Sequence, residues 1–220
     1  MNKLFLLIIT IFLYSTTILA EEIASGLILK DEYTIVGKKN FMNDFIPLNN
    51  DGTINVIVEI PTGTIGKWEV DKSDGNLKWE FKKGKPRIVK FLGYPGNYGM
   101  IPRTMLPKEL GGDGDPLDVI VLGPSVPRGS VVSAKLIGVL KLLDGGEQDD
   151  KLLAVLENSP LFGVKNVSEL DRDFIGVTKI VEIWFESYKG PGEIISNGFG
   201  NNEEALKILN FSINEYKKLN

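Results

Sequence analysis

Ile54-Asn55-Val56-Ile57-Val58-Glu59-Ile60 runs directly into Pro61. Five of these seven residues are β-branched, which suits a pleated strand, and proline cannot continue the ladder. Strand signals continue outward from this stretch. Lys67–Val70 and Leu77–Lys82 alternate in polarity around Ser73-Asp74-Gly75-Asn76, a hairpin pattern. Arg87–Phe91, Leu117–Leu122, Ser130–Leu143 and Leu152–Leu156 extend the series, whereas residues 21–50 are mixed and turn-rich. Short strands punctuated by Gly and Pro predict a barrel or sandwich. The pattern changes at Ser168, which forms a capping-box pair with Asp171. Phe174, Val177, Ile180, Val181 and Trp184 then recur at helical spacing, and a second helix fits Asn202–Leu219. The reading is α+β: a β-barrel core with two packed helices in a single domain over residues 21–220.

The 220-residue chain contains no His and no Cys. That excludes Ser-His-Asp and Cys-His catalysis, His-ligated zinc, thiolate nucleophiles, iron–sulfur clusters and disulfides. Acid–base work near neutral pH falls to Asp, Glu, Lys, Tyr or a metal-bound water. A net charge of -4 argues against nucleic acid as a partner.

Residues 1–20 read as a secretory signal peptide: Lys3, an apolar run from Leu4 to Tyr14, and Ala20 at the cut. The uninterrupted run is shorter than the ~20 residues a spanning helix needs. Export to the periplasm with cleavage after Ala20, leaving no stable membrane span, is therefore favoured over an uncleaved membrane anchor. Removing one Lys and no acid leaves 24 basic and 29 acidic residues.

The sharpest segment is Gly111-Gly112-Asp113-Gly114-Asp115-Pro116-Leu117-Asp118. Three carboxylates this close repel unless protonated or neutralised by cations. Oxygen-only ligands suit Mg²⁺, Mn²⁺ or Ca²⁺. An EF-hand fails, because Leu117 holds the third ligand position and Pro124 stands where the closing Glu belongs. A solvated acidic turn remains open for this segment taken alone. The same holds for Asp144-Gly145-Gly146-Glu147-Gln148-Asp149-Asp150-Lys151, which also joins two apolar strands. Together, two acidic turns at strand ends can converge on a polynuclear metal site. Lys67, Arg87, Lys151 and Lys189, with Tyr94, Tyr98 and Tyr188, would suit a phosphate-bearing substrate opposite it.

The run from Gly84 to Gly99 (GKPRIVKFLGYPGNYG), continuing to Asp113-Gly114-Asp115-Pro116-Leu117-Asp118, resembles the soluble family I inorganic pyrophosphatases. The D-G-D-P-L-D-V signature is specific to them, and the similarity extends from about Ile54 to Lys189. The resemblance implies an OB-like five-stranded barrel with additional strands. It also implies hydrolysis of inorganic diphosphate to two phosphates by metal-activated water. Glu59 matches the glutamate of V-x-E-I-P, Lys67 and Glu69 match K-W-E, and Arg87 matches the phosphate-binding arginine. Tyr94 and Tyr98 match Y-P-x-N-Y-G, and Asp113, Asp115 and Asp118 match the signature. Asp144, Asp149 and Lys151 match the second acidic loop, and Tyr188 and Lys189 match the Y-K pair.

The expected roles follow. Asp113, Asp118, Asp144, Asp149 and Glu59 hold several Mg²⁺ ions, for which Mn²⁺ can substitute and which Ca²⁺ displaces with inhibition. Six acids against four cations, plus an anionic substrate, demand several divalent ions. Asp118 bridges two of them, and Asp115 is the general base toward the shared water. Arg87, Lys189, Tyr188 and Tyr98 bind phosphate, and Lys67 and Lys151 neutralise the leaving group. Glu69 and Tyr94 support these from behind. A homo-oligomer is implied, although the histidines at subunit contacts of the family's bacterial hexamers have no counterpart here. A binding module without turnover, or a broader nucleotide phosphohydrolase, would use the same residues; phosphate release from diphosphate against ATP separates them.

Overall fold

A computed structural model describes residues 21–24, 26–106 and 114–219. The proposed signal segment, residues 1–20, and Asp113 lie outside the described residues. Three short strands, β1 (Glu21–Ala24), β2 (Leu27–Asp31) and β3 (Thr34–Gly37), occupy the segment whose sequence looks mixed. The expected first strand is β4 (Ile54–Ile60), buried over nearly its whole length. The hairpin around Ser73–Asn76 forms as β5 (Trp68–Val70) and β6 (Leu77–Trp79), with Trp68 opposite Trp79 and Val70 opposite Leu77. A second, smaller hairpin of β7 (Phe81–Lys82) and β8 (Lys85–Pro86) follows, then β9 (Asn97–Met100) and β10 (Asp118–Leu122). The 14-residue β11 (Val131–Asp144), β12 (Glu147–Gln148) and β13 (Lys151–Leu156) complete the central series. Helices α1 (Val167–Asp173) and α2 (Val177–Ser187), strand β14 (Ile194–Gly200) and helix α3 (Asn202–Leu219) end the chain.

Strands β4, β9, β10, β13 and β11 form a five-stranded barrel in that order, closed by pairing of β11 with β4 through Val131↔Ile57 to Ala134↔Ile54. Closure leaves these strands without a free edge for most of their length. The α+β, OB-like barrel architecture expected from the sequence is therefore present. Alternation divides the packing. Ile120, Leu122, Leu153 and Val155 join the cluster containing Val181, Trp184 and Phe185 of α2. Val119, Val121, Leu152 and Ala154 join the one containing Ala205, Leu209 and Ile213 of α3. A third cluster, with Phe41, Trp68, Val70 and Leu77, seats the sheet β1-β2-β3-β6-β5 against Ile57 and Met100 of the barrel.

Three local expectations change. Arg87–Phe91 does not form a strand. Its backbone groups are taken by separate partners: Arg87 N–H donates to the Glu80 carbonyl (2.7 Å), and Val89 N–H donates to that of Ile65 (2.8 Å). β-propensity without an adjacent ladder does not make a strand. The helical run after Ser168 is split between α1 and α2 at Phe174–Gly176, where Gly176 adopts the left-handed φ of 92° that favours glycine. As a result Ile180 is 63% exposed, and Thr178 and Phe185 share the buried face. The cap of α1 is Asn166, whose side chain accepts from the Glu169 N–H, in place of the Ser168–Asp171 pair. Among the described residues no helix is long and apolar enough to cross a membrane.

Candidate active site

The barrel end that carries the start of β10 opens onto a cavity of about 1000 Å³. Its wall is built by registers already described. The parallel pairing of β10 with β13 sets Val119 beside Leu152, so the preceding residues, Asp118 and Lys151, stand side by side. The Lys151 ammonium lies 2.6 Å from Asp118 Oδ2 and 2.5 Å from Asp149 Oδ1. Gly145 and Gly146, with φ of 58° and 91°, turn β11 tightly into β12, which holds Asp144 opposite Glu147. The acidic loop is thereby folded back so that Asp144 and Asp149 face the same cavity as Asp118. Glu59 comes from the irregular step between Val58 and Ile60, where β4 shifts register against β9. Lys67 and Glu69 flank the buried Trp68 on β5.

Burial raises the Glu59 carboxyl to about 8, against the opposing pull of Lys67 and a hydrogen bond from the Val70 N–H (2.8 Å). Asp118 is half-buried, and desolvation works against its charge. Lys151 and Lys67 nevertheless hold it below the ordinary carboxylate range. Asp149 shares the same ammonium but is raised, by burial first and by the neighbouring charges of Asp118 and Asp144. Burial opposes the charge on Lys151 too, but the two carboxylates prevail and its pKa is raised. The charges of the trio are therefore mutually dependent. Lys189 pairs with Asp144, and Lys72 pairs with Asp115.

On the opposite wall, Arg87 Nη1 donates to both carboxylate oxygens of Glu80, at 2.8 and 2.7 Å. Their backbones are tied as well: Lys67 N–H donates to the Arg87 carbonyl and Glu80 N–H to that of Lys67, each at 2.9 Å. Lys67 Nζ lies 5.1 Å from the Tyr98 ring centre. Tyr98 and Tyr94 are core residues whose phenols are raised by burial; their rings are 5.2 Å apart. Tyr188 stacks on Trp184 at 4.8 Å and 12°, and is likewise raised by burial.

Residues drawn from six separate stretches thus meet at one place. Glu59, Lys67, Glu69, Arg87, Asp115, Asp118, Asp144, Asp149 and Lys151 line the cavity. Tyr98 lies beneath Lys67, Lys189 reaches the rim through Asp144, and Tyr94 is packed behind. Glu80 and Lys72 are additional lining residues that sequence reasoning passed over. Neither belongs to an acidic or basic run; Glu80 follows a strand and Lys72 sits in a turn.

Among the described residues the cavity is lined by ten carboxylates and five cationic side chains. Such a wall repels an anion unless added cations offset it. The donors are all oxygen, which fits hard divalent ions. No three acidic side chains among the described residues are gathered into a ready-made cage, and lysines stand on Asp115, Asp118, Asp144 and Asp149. Asp118, Asp149, Asp144, Asp115 and Glu59 are the groups that could hold such ions.

A closed β-barrel bearing at one end a carboxylate-rich cavity with Lys and Arg side chains on its wall offers oxygen donors suited to hard divalent ions and cations suited to a phosphate-bearing anion. A family model described as inorganic pyrophosphatase matches residues 56–217, and the chain belongs to that family. An inorganic pyrophosphatase of Ralstonia nicotianae is 35% identical over 189 residues, which are 82% of this chain and 95% of that protein. One from Drosophila melanogaster is 38% identical over 178 residues, covering 73% of this chain; the chain spans about half (53%) of that relative's length. The crystal structure of type I inorganic pyrophosphatase from Toxoplasma gondii superposes with a TM-score of 0.78 at 27% identity, covering 92% of this chain and 98% of that one.

Proposed function

We propose that the chain hydrolyses inorganic diphosphate to two phosphates. The observation that carries this is the convergence of Asp115, Asp118, Asp144 and Asp149 with Lys67 and Arg87 on one cavity. Membership of the pyrophosphatase family supports it independently.

In this reading Asp113, Asp118, Asp144, Asp149 and Glu59 hold several Mg²⁺ ions, or Mn²⁺ in their place. Bound divalent ions neutralise phosphate oxygens and acidify water. Arg87, Lys67, Lys189, Tyr98 and Tyr188 hold the phosphoryl oxygens in line for displacement. Asp115 takes the proton from the attacking water as its oxygen bonds to one phosphorus and the bridging P–O bond breaks. Lys151 keeps Asp118 and Asp149 together and adds positive charge on the leaving side. Glu69 steadies Lys67, and Tyr94 supports Tyr98. Residues 1–20 serve as an export signal cleaved after Ala20, so the functional chain begins at Glu21 and works outside the cytoplasm. N-terminal sequencing of the native protein reports this directly; a Met1 terminus in a cytosolic fraction overturns export and leaves the chemistry untouched.

The test of the activity is colorimetric phosphate release from diphosphate with Mg²⁺, with ATP in parallel. Release from diphosphate far above that from ATP is expected. No release with either Mg²⁺ or Mn²⁺ overturns the reading.

A further inference from the structure

The acid-rich cavity presents a difficulty for its own substrate. With ten carboxylates against five cations on the wall, the approach to it is unfavourable for an anion. One element at the rim has the opposite character. Phe81 and Arg87 both line the cavity, so the β7–β8 hairpin is anchored to the cavity wall at each end. The hairpin carries Lys82, Lys83 and Lys85, all exposed, and no Asp or Glu occurs from Phe81 to Leu92.

The backbone forces these charges together. Lys83 and Gly84 have φ of 54° and 72°, the two left-handed residues of a tight turn. Lys82 and Lys85 are consequently direct cross-strand partners. Like charges directly opposite on a ladder are destabilising. Among the described residues none of the three lysine side chains takes part in an ion pair or side-chain hydrogen bond. Arg87, by contrast, is satisfied by Glu80. A crowded, unpaired cationic tip is costly to the fold and favourable to an incoming anion.

We propose that the β7–β8 hairpin is an electrostatic collecting surface that draws diphosphate, as its divalent-metal complex, toward the cavity mouth. This rests on the diphosphatase reading and adds to it a determinant of substrate capture outside the residues that bind or react. Two strand residues span roughly 7 Å, and with the length of their side chains the lysine charges lie on the order of 10 Å from the rim residues Phe81 and Arg87. At that range three unit charges acting on a doubly charged anion change capture on the order of twentyfold at ~10 mM salt, but only about threefold at ~150 mM.

The test compares kcat/KM for diphosphate, at fixed free Mg²⁺, across ionic strength. The variant is Lys82→Gln/Lys83→Asn/Lys85→Gln; asparagine tolerates the positive φ at position 83. The control is Lys207→Gln/Lys217→Gln/Lys218→Gln on α3, which makes the same change in net charge at residues that do not line the cavity. The expected result is a kcat/KM lower by about twentyfold for the hairpin variant at low salt, a gap that narrows toward about threefold as salt rises to ~150 mM, an unchanged kcat, and a control that follows the wild type. An equal kcat/KM, a gap independent of salt, or the same loss in the control overturns the proposal. If the wild type releases no phosphate, the diphosphatase reading itself fails. Equilibrium binding of imidodiphosphate with Mg²⁺ then decides the hairpin's role: salt-dependent weakening in the variant supports it, and equal affinity overturns it.

Discussion

The ammonium of Lys151 is shared between Asp118 (2.6 Å) and Asp149 (2.5 Å), and its side chain is only 6% exposed. Two acids at the cavity wall therefore depend on one buried cation. Replacing Lys151 with Met leaves two adjacent carboxylates, each about a third exposed, without their shared cation. Metal-free Lys151→Met is expected to lose on the order of 1–3 kcal/mol in urea unfolding, below the cost of a fully buried pair because both carboxylates are partly solvated. Mg²⁺ should stabilise the variant more than it stabilises the wild type, because added charge replaces the missing ammonium. Equal Mg²⁺ stabilisation of both proteins would contradict the shared-cation account.

Asp115→Asn keeps size and polarity but removes basicity. If Asp115 accepts the proton of the attacking water, kcat should fall by roughly 10²–10⁴-fold while Mn²⁺ binding, followed by titration calorimetry, is retained. Near-wild-type turnover would remove Asp115 from that role.

Calcium should bind and inhibit. It takes the same oxygen ligands at longer distances and with looser geometry than Mg²⁺. Adding Ca²⁺ to Mg²⁺-activated protein is expected to suppress phosphate release, and full activity with Ca²⁺ as the sole divalent ion would refute this.

Asp71 supplies a pH signature outside the barrel. The Ser73 hydroxyl and the Lys78 ammonium hold its carboxyl down to about 2, against an ordinary 3.8. Because the folded value is the lower one, its contribution is present above about pH 4 and is lost as pH falls through 2. The group is a third exposed, so the effect is discounted to under about 1 kcal/mol. The stability gap between wild type and Asp71→Asn, from urea midpoints, should narrow between pH 4 and pH 2. A constant gap across that interval would show that the hydrogen-bonded turn carries no such linkage.

Gly99 tests the barrel. A Cβ there would lie 1.9 Å from the Ile57 carbonyl oxygen, across the β4–β9 ladder. The strands cannot separate without breaking the closure, so Gly99→Ala should lower the melting temperature by many degrees, consistent with a loss above ~2 kcal/mol. An unchanged melting temperature would mean that the ladder relaxes freely at this point.

Much of this protein is legible along the chain. β4, β10, β11 and β13 announce themselves by β-branched runs, and the paired acidic turns by their density. Other elements are not. β9 contains Asn97 and Gly99, both poor strand residues, and forms because it bridges β4 and β10. β1 to β3 are too short and mixed for a periodic signal, and become strands by pairing in series with β6.

The sequence by itself determined the chemistry available: no imidazole, no thiol, a surplus of carboxylates, and the residue types and spacings that mark the family. Those are properties of side chains and of near neighbours, which composition and local pattern carry. Tertiary structure alone decided which charges meet. The parallel β10–β13 register sets Lys151 against Asp118, 33 residues away, and the fold brings Lys189 to Asp144 across 45. It also decided that Glu59, otherwise one acid in an apolar strand, is buried and raised to about 8. Burial and long-range proximity set the energy of a charge, and neither is a property of any local stretch of chain.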